Sequence, residues 1–165
     1  MERQSWADFT LAAGSGQAED DDMGAWGIGS FENDKALDWI HEFRSNPSER
    51  TLLDVFEGKF PPPHSGILDR MLGRDVRQPK HCTDEYVVAA AEVIAALLGR
   101  PPGPLPEDLA ELPEVVIGEE VVGKAVEAIR EVLADSNLKS CFEGSPDYGD
   151  WLLGVLDLRD RLGRG

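Results

Sequence analysis

The stretch that most constrains the fold is "TDEYVVAAAEVIAALLG", residues 83–99. Thr83 is the predicted N-cap, Asp84 and Glu85 fill the first turn, and Gly99 ends the helix. Between these signals the helix is apolar on almost every side, whereas a surface helix carries only one apolar stripe. We therefore predict a central, buried helix surrounded by other elements.

The chain before this helix also has helical periodicity. We predict a first helix from about Asn33 to Phe43, with Asn33 as N-cap, and a second helix that Ser48 caps and Gly58 ends. The predicted inward stripe of the first helix is Ala36, Leu37, Ile40 and Phe43. Alternating strand patterns are missing, and "PEVVIG" is too short to build a sheet.

Three further helices are predicted after the central one, over "GEEVVGKAVEAIREVLAD", "SNLKSCFEG" and "DYGDWLLGVLDLRDRLG". Short turns are expected in "ILDRMLGRD" and "EDLAEL", and stiff connectors in "KFPPPHSG" and "RPPGPLP". The predicted buried residues of the two longer helices are Val122, Ala125, Val126, Ile129, Leu133, Trp151, Leu152, Val155, Leu156 and Leu162. The expected fold is one compact all-α domain of five to seven helices, bundle-like or orthogonally packed, over residues 23–165.

Residues 1–22 differ in composition from the rest of the chain. They contain six acids and one base, a net charge of -5, and they end in the acidic run 19–22. Such a segment buries little apolar surface, so we expect a mobile, disordered and dispensable extension. Met23 is then the expected natural start of the domain.

The charge of the whole chain limits its partners. Acids outnumber bases 32 to 16, a net charge of -16, which opposes binding to nucleic-acid phosphates and to anionic lipid. It is compatible with a basic protein partner, or with solubility alone. The sequence has no secretory leader pattern and no apolar run of about 20 residues, so we expect a cytoplasmic protein.

Two cysteines, Cys82 and Cys141, are too few for a disulfide framework. We favour two free, buried thiols in a reducing compartment, with a single bridge as the alternative. Cys82 follows His81, and a reactive thiolate there is a weaker alternative, since neighbouring side chains usually point apart. His41, His64 and His81 lack the spacing of zinc ligands.

Three segments carry a family resemblance: "MGAWGIGSFENDKALDWI", "AAAEVIAALLGRPPGPLPEDL" and "DWLLGVLDLRDRL", in that order. Together they resemble the bacterial family known as domain of unknown function 4259, over Met23 to about Leu162. The specific part is the opening Trp-Gly-x-Gly-x-Phe-x-Asn-Asp pattern, and family members begin at Met-Gly-x-Trp-Gly, which favours Met23 as the start. The family has no established activity, so the resemblance implies no catalytic residues.

The glycines of the opening segment do not form a phosphate-binding motif. Gly27-Ile28-Gly29 lacks the third glycine of a dinucleotide loop and the Lys-Ser/Thr of a P-loop, and acids follow it. We interpret the segment as a tight turn that lets Trp26 and Phe31 reach the core. Tyr148 and Trp151 are likewise predicted to anchor the last helix.

The acids after this turn form the candidate site. Asp34 and Asp38 are four residues apart on one helix face, where they could bind a divalent cation or share a proton. The simpler interpretation is an N-cap followed by a solvated acidic face, so we assign no catalytic residue, metal ligand or cofactor. The predicted recognition surface comprises Trp26, Glu32, Asn33, Asp34, Asp38 and Trp39.

These observations favour a small, acidic, non-catalytic protein-interaction module, such as an inhibitor, an immunity-type protein or a regulatory adaptor for a basic partner. The alternative is a carboxylate- or metal-assisted hydrolase-like enzyme that uses Glu32, Asp34 and Asp38. A third hypothesis is a nucleic-acid mimic whose carboxylates replace phosphates.

Overall fold

A computed structural model of the chain describes residues 27–60, 84–103, 109 and 111–164. These residues form six α-helices and no β-strand: α1 (Asp34–Ser45), α2 (Glu49–Phe56), α3 (Asp84–Leu97), α4 (Glu119–Ala134), α5 (Asn137–Phe142) and α6 (Tyr148–Leu162). The predicted all-α fold is confirmed. The expectations for residues 1–22, Met23, the Thr83 cap, the turn in "ILDRMLGRD" and half of "EDLAEL" fall outside the described residues.

Helix α3 is the centre of the fold, as its apolar sequence predicts. Every residue from Val87 to Ala95 is buried, and α3 contacts each of the other five helices of the described chain. The remaining helices pack against α3 or against one another, and all of them except the short α5 contribute fully buried residues. A charged residue inside this stretch, Glu92, is buried with its apolar neighbours.

The helix starts follow the predicted caps. Asn33 Oδ1 accepts the N–H of Ala36 at 2.7 Å, and Ser48 Oγ accepts that of Thr51 at 3.1 Å. Ser136 caps α5 in the same way, over 3.0 Å to the N–H of Lys139. Each cap satisfies a backbone donor that the first helical turn leaves without a partner.

Carboxylates from neighbouring helices also accept hydrogen bonds at the starts of α4 and α5. Glu49 of α2 accepts the N–H of Gly118, the residue before α4, at 2.8 Å. Asp84 of α3 accepts the N–H groups of Asn137 and Leu138, at 3.1 and 3.3 Å. Because a carboxylate is favourable at a helix N-terminus, these contacts hold α4 against α2 and α5 against α3.

The inward face of α1 is largely as predicted. Ala36, Ile40 and Phe43 are buried, while Leu37 is half-buried at the edge of the core. Trp39 also lies in the core, with no exposed side-chain surface, stacked on Phe43 at a ring-centroid distance of 5.4 Å. The prediction that Trp39 belongs to a recognition surface is therefore wrong, because its indole packs into the core. Trp39 directly precedes Ile40, a residue of the predicted inward stripe.

Helix α4 is rotated relative to its predicted stripe. Ala125 and Ile129 are buried as expected, but Val121 and Val132 complete the buried row. The predicted Val122, Val126 and Leu133 are half-buried along its flank. Helix α4 packs on α2, α3 and α6, so its apolar face is broader than a single stripe. The positions of these three helices determine which residues at the edges of that face are buried.

The last helix, α6, buries Trp151, Val155 and Leu162 as predicted, while Leu152 and Leu156 are half-buried. Leu158 and Arg161 are buried as well, and neither belongs to the predicted face.

Cys141 is exposed rather than buried as predicted, because it lies on the short helix α5, which has no buried residue. Cys82 falls outside the described residues. Among the helices described, none combines the length and apolar character needed to cross a membrane.

Candidate functional site: a cavity beside the first turn

A cavity of about 460 Å³ opens between the turn at residues 27–33 and the helices α3, α5 and α6. The turn supplies one wall through its backbone and through Phe31. Helices α5 and α6 also line it, and α3 contributes Glu85, Val88 and Glu92. Helices that are distant in sequence thus meet at one site.

The turn is shaped by the carboxylate of Glu32. Its Oε2 accepts the N–H of Gly29 at 2.7 Å, and the N–H of Glu32 is donated to the Gly29 carbonyl at 3.0 Å. A Cβ at Gly27 would overlap this carboxylate, and one at Gly29 would lie 2.9 Å from it. The glycines therefore leave space for the carboxylate of Glu32. A phosphate-binding loop needs backbone N–H groups that are free to bind the phosphate, but in this turn the Glu32 carboxylate already occupies that position.

The apolar wall consists of aromatic and β-branched side chains. Phe142 and Trp151 stack at a centroid distance of 5.3 Å and an interplanar angle of 13°, and Val88 and Val155 lie beside them. Trp151 is only 3% exposed and also stacks against Tyr148, at 6.0 Å. Trp151 thus anchors α6, as predicted, and in addition lines the cavity.

A buried ion pair closes the polar side of the cavity. Arg161 Nη2 and Nη1 donate to the two oxygens of Glu92, at 2.8 and 2.9 Å. Glu92 is 3% exposed and Arg161 is 6% exposed. Burial opposes the charge on Arg161, but hydrogen bonds to Glu92 and Asp157 outweigh it and raise the pKa of the guanidinium above its ordinary value.

Further hydrogen bonds tie this pair to three parts of the fold. Ser30 Oγ donates to Glu92 Oε1 at 3.2 Å, which connects the turn to α3. Arg161 Nε donates to Asp157 one turn earlier on α6, at 2.6 Å. Arg100 and Arg161 each donate to the other's backbone carbonyl at 3.0 Å, so the end of α3 is fastened to α6.

The ionisable groups that line the cavity carry an excess of negative charge. Four of them are carboxylates, against one guanidinium: Glu32, Glu85, Glu92, Asp157 and Arg161. Lys35, outside the lining, pairs with Glu85 Oε1 at 3.2 Å. The other oxygen of Glu85 is buried and accepts no hydrogen bond within the described chain.

The predicted recognition surface is only partly assembled at this cavity. Glu32 and Asn33 line it, whereas Asp34 and Asp38 are exposed on α1 and do not. Trp39 is in the core. Trp26 falls outside the described residues, although its neighbour Gly27 lines the cavity.

The described residues offer few groups for covalent or metal chemistry. They contain no cluster of three or more His, Cys, Asp or Glu side chains that could hold a metal ion. Partial burial of the Cys141 sulfur raises the pKa of the thiol, and the nearby carboxylates of Glu85 and Asp84 raise it further, which disfavours a reactive thiolate. His41 is exposed on α1, and His64, His81 and Cys82 fall outside the described residues.

The predicted recognition surface omits Glu92 and Arg161, although the sequence contains one signal for Glu92. Glu92 is the only charged residue between Glu85 and Arg100, in a helix predicted to be buried. A charge at such a position needs a partner of opposite sign. The identity of that partner could not be deduced, because Arg161 is 69 residues away.

Comparison with known proteins assigns the chain to a family. A family model described as "Domain of unknown function (DUF4259)" matches residues 24–153, which include the turn, α3, α5 and the first residues of α6. No curated protein and no solved structure matches the chain. Because the match covers most of the sequence, the chain belongs to the DUF4259 family.

Proposed function

We propose that this protein is a non-catalytic interaction module that binds a basic protein partner, with the cavity as its docking site. The observation that carries the proposal is the composition of the cavity, an apolar aromatic wall beside an excess of carboxylates. Ligand sites characteristically combine a concave apolar surface with a few convergent polar groups. An inhibitor, an immunity-type protein or a regulatory adaptor would use such a site.

The charges favour a cationic ligand. Glu92 and Asp157 share the single guanidinium of Arg161, so one negative charge remains uncompensated there. Glu32 adds an exposed carboxylate at the turn. At longer range, the net charge of -16 would attract a basic protein and accelerate its association.

The hydrolase alternative has less support from the geometry. It requires Asp34 and Asp38 to converge in a pocket, but both side chains are exposed and neither lines the cavity. Ser30 does contact a carboxylate, but Glu92 is occupied by Arg161 through both oxygens. A nucleic-acid mimic would use regularly spaced surface acids and would have no need for the apolar wall.

The proposal is tested by filling the cavity. Gly154 lines it, and a Cβ added there meets no atom within 4 Å, so Gly154→Leu extends a side chain toward the cavity without a backbone clash. Gly123→Leu on α4 is the matched control, since its Cβ position is equally open and it does not line the cavity. Binding of basic, neutral and acidic peptides from a synthetic library is measured by fluorescence anisotropy.

We expect a subset of basic peptides to bind the native protein and Gly123→Leu equally, and Gly154→Leu about tenfold more weakly. Added NaCl should weaken this binding, because it screens the charges. The proposal is overturned if no peptide binds, if acidic peptides bind as well as basic ones, or if Gly154→Leu binds as tightly as its control.

A further inference from the structure

Resting on the proposed function, we infer that the cavity takes two adjacent side chains of the partner, one apolar and one cationic. The apolar side chain lies against the Phe142–Trp151 wall, and an arginine or lysine reaches Glu85 and Glu32. The ligand is thus an apolar–basic pair of neighbouring residues in a protein, rather than an isolated charge.

The size of the cavity supports a ligand of two parts. At about 460 Å³ it lies in the range of pockets that hold small organic ligands, about 300–1,000 Å³. A single extended cationic side chain would leave part of the apolar wall in contact with water. A neighbouring apolar side chain would cover that part, and removal of apolar surface from water is the main favourable term in association.

The apolar part has a preformed surface. Trp151 is held between Phe142 and Tyr148, with centroid distances of 5.3 and 6.0 Å, and its side chain is almost fully buried. Val88 and Val155 extend this surface toward α3 and along α6. A rigid wall costs little conformational entropy on binding, so contact with it contributes directly to affinity.

The cationic part is indicated by Glu85. Its side chain is 14% exposed, and its Oε1 pairs with Lys35. Its Oε2 is buried without a hydrogen bond from the described chain, an arrangement that is costly for a carboxylate. A guanidinium or ammonium in the cavity would supply the missing donor after a small rotation of the carboxylate. Arginine, with five donors, could also reach Glu32.

The test uses capped dipeptides and isothermal titration calorimetry on the full chain. The probes are acetyl-Leu-Arg-amide, acetyl-Leu-Lys-amide, acetyl-Leu-citrulline-amide, which is neutral and nearly the same shape as the arginine peptide, and acetyl-Ala-Arg-amide. We expect the citrulline and alanine peptides each to bind about tenfold more weakly than acetyl-Leu-Arg-amide, because each lacks one of the two contacts.

Protein variants locate the charge contact. Glu85→Gln should weaken binding of acetyl-Leu-Arg-amide about tenfold and leave the affinity for acetyl-Leu-citrulline-amide unchanged. Glu42→Gln is the control, because Glu42 is an exposed acid of α1 that does not line the cavity. It should change neither affinity.

The inference is overturned if arginine and citrulline peptides bind equally, if alanine replaces leucine without loss, or if no dipeptide binds. These dipeptide results would not contradict the proposed function if long basic peptides still bind the native protein and Gly154→Leu still weakens that binding. Trp26→Ala, a change at the residue that precedes Gly27 in the sequence, is a further variant. Dipeptide binding by Trp26→Ala but not by the native chain would also overturn the inference.

Discussion

At the scale of single residues, the Glu92–Arg161 pair is the most consequential feature of the core. A carboxylate on the most buried helix is tolerable only with a partner, and Arg161 satisfies both of its oxygens. Taking two charges out of water costs about as much as their attraction returns, so the pair adds little net stability. Losing one member is different, because it leaves the other charge buried alone.

We therefore expect Arg161→Met to lower the free energy of unfolding by about 3–5 kcal/mol in urea denaturation. Arg159→Met is the control: Arg159 pairs with its exposed neighbour Asp160, and its loss should cost at most about 1 kcal/mol. The double variant Glu92→Leu/Arg161→Met removes both charges and should recover part of the loss. Equal stability of the Arg161 and Arg159 variants would contradict this account.

Glu57 gives a second prediction, on pH dependence. Its hydrogen bond with Lys59, and the charges of Arg50 and Lys124, lower its pKa from 4.5 to about 2 against an opposing effect of burial. Between pH 4.5 and 2 the unfolded chain binds a proton at Glu57 that the folded chain does not. Its contribution to stability is therefore complete above pH 4.5 and is lost as the pH falls toward 2.

Urea denaturation across this pH range, on the native protein and Glu57→Gln, measures that contribution. The difference in unfolding free energy should grow from pH 2 to 4.5 and stay constant above it. Glu143→Gln, which removes a more exposed acid that pairs with Lys139, is the control for the loss of a surface ion pair. A difference that is independent of pH would show that Glu57 does not titrate as its contacts imply.

At the scale of elements, two glycines should respond to alanine in opposite directions. Gly123 lies inside α4 with open space at its Cβ position, so Gly123→Ala should raise the unfolding free energy by about 0.5–1 kcal/mol. Gly99 ends α3 with a φ of +75°, a left-handed conformation, so Gly99→Ala should lower it by about 1 kcal/mol or more. Urea denaturation measures both, and a common sign would contradict the prediction.

The helix ends were predictable from sequence because their causes are local. Asn33 and Ser48 each bond a backbone group three residues later, so the capping signal and its partner lie in one short window. Buried faces are less local. Burial of Ala125 and Ile129 on α4 was predicted correctly, but Val122 was predicted to be buried where Val121 is. The helices packed against α4 determine which side of its apolar face is buried.

The cavity shows the same limit more strongly. Glu32 and Asn33 were predicted because they adjoin a visible helix start, whereas Asp157 and Arg161 look like solvent-facing charges on an amphipathic helix. Only the tertiary placement of α6 against α3 brings Arg161 to Glu92. Within the described chain, the cavity residues that could not be predicted, such as Asp157 and Arg161, are those that reach the cavity through contacts between helices distant in sequence.

At the scale of the whole molecule, charge should govern the response to salt. The net charge of -16 makes the folded chain repel itself, and most described ion pairs involve exposed partners that contribute little. Moderate NaCl screens this repulsion, so we expect the melting temperature to rise with added salt in differential scanning calorimetry. The melting temperature of a variant with Glu120, Glu127 and Glu131 of α4 changed to Gln should rise less with added salt, because the variant carries three fewer negative charges. A melting temperature that falls with salt would show that attractive pairs dominate.

The ion pair between α3 and α6 also bears on the order in which the protein is made. The ribosome synthesises Glu92 well before Arg161, which follows 69 residues later. Until that arginine leaves the exit tunnel, the most apolar helix of the nascent chain carries a carboxylate without its counter-ion. The helices made earlier can associate loosely around α3, but they cannot enclose Glu92 without leaving an unpaired charge. Completion of the core therefore waits until α6 has been synthesised and can pack against α3.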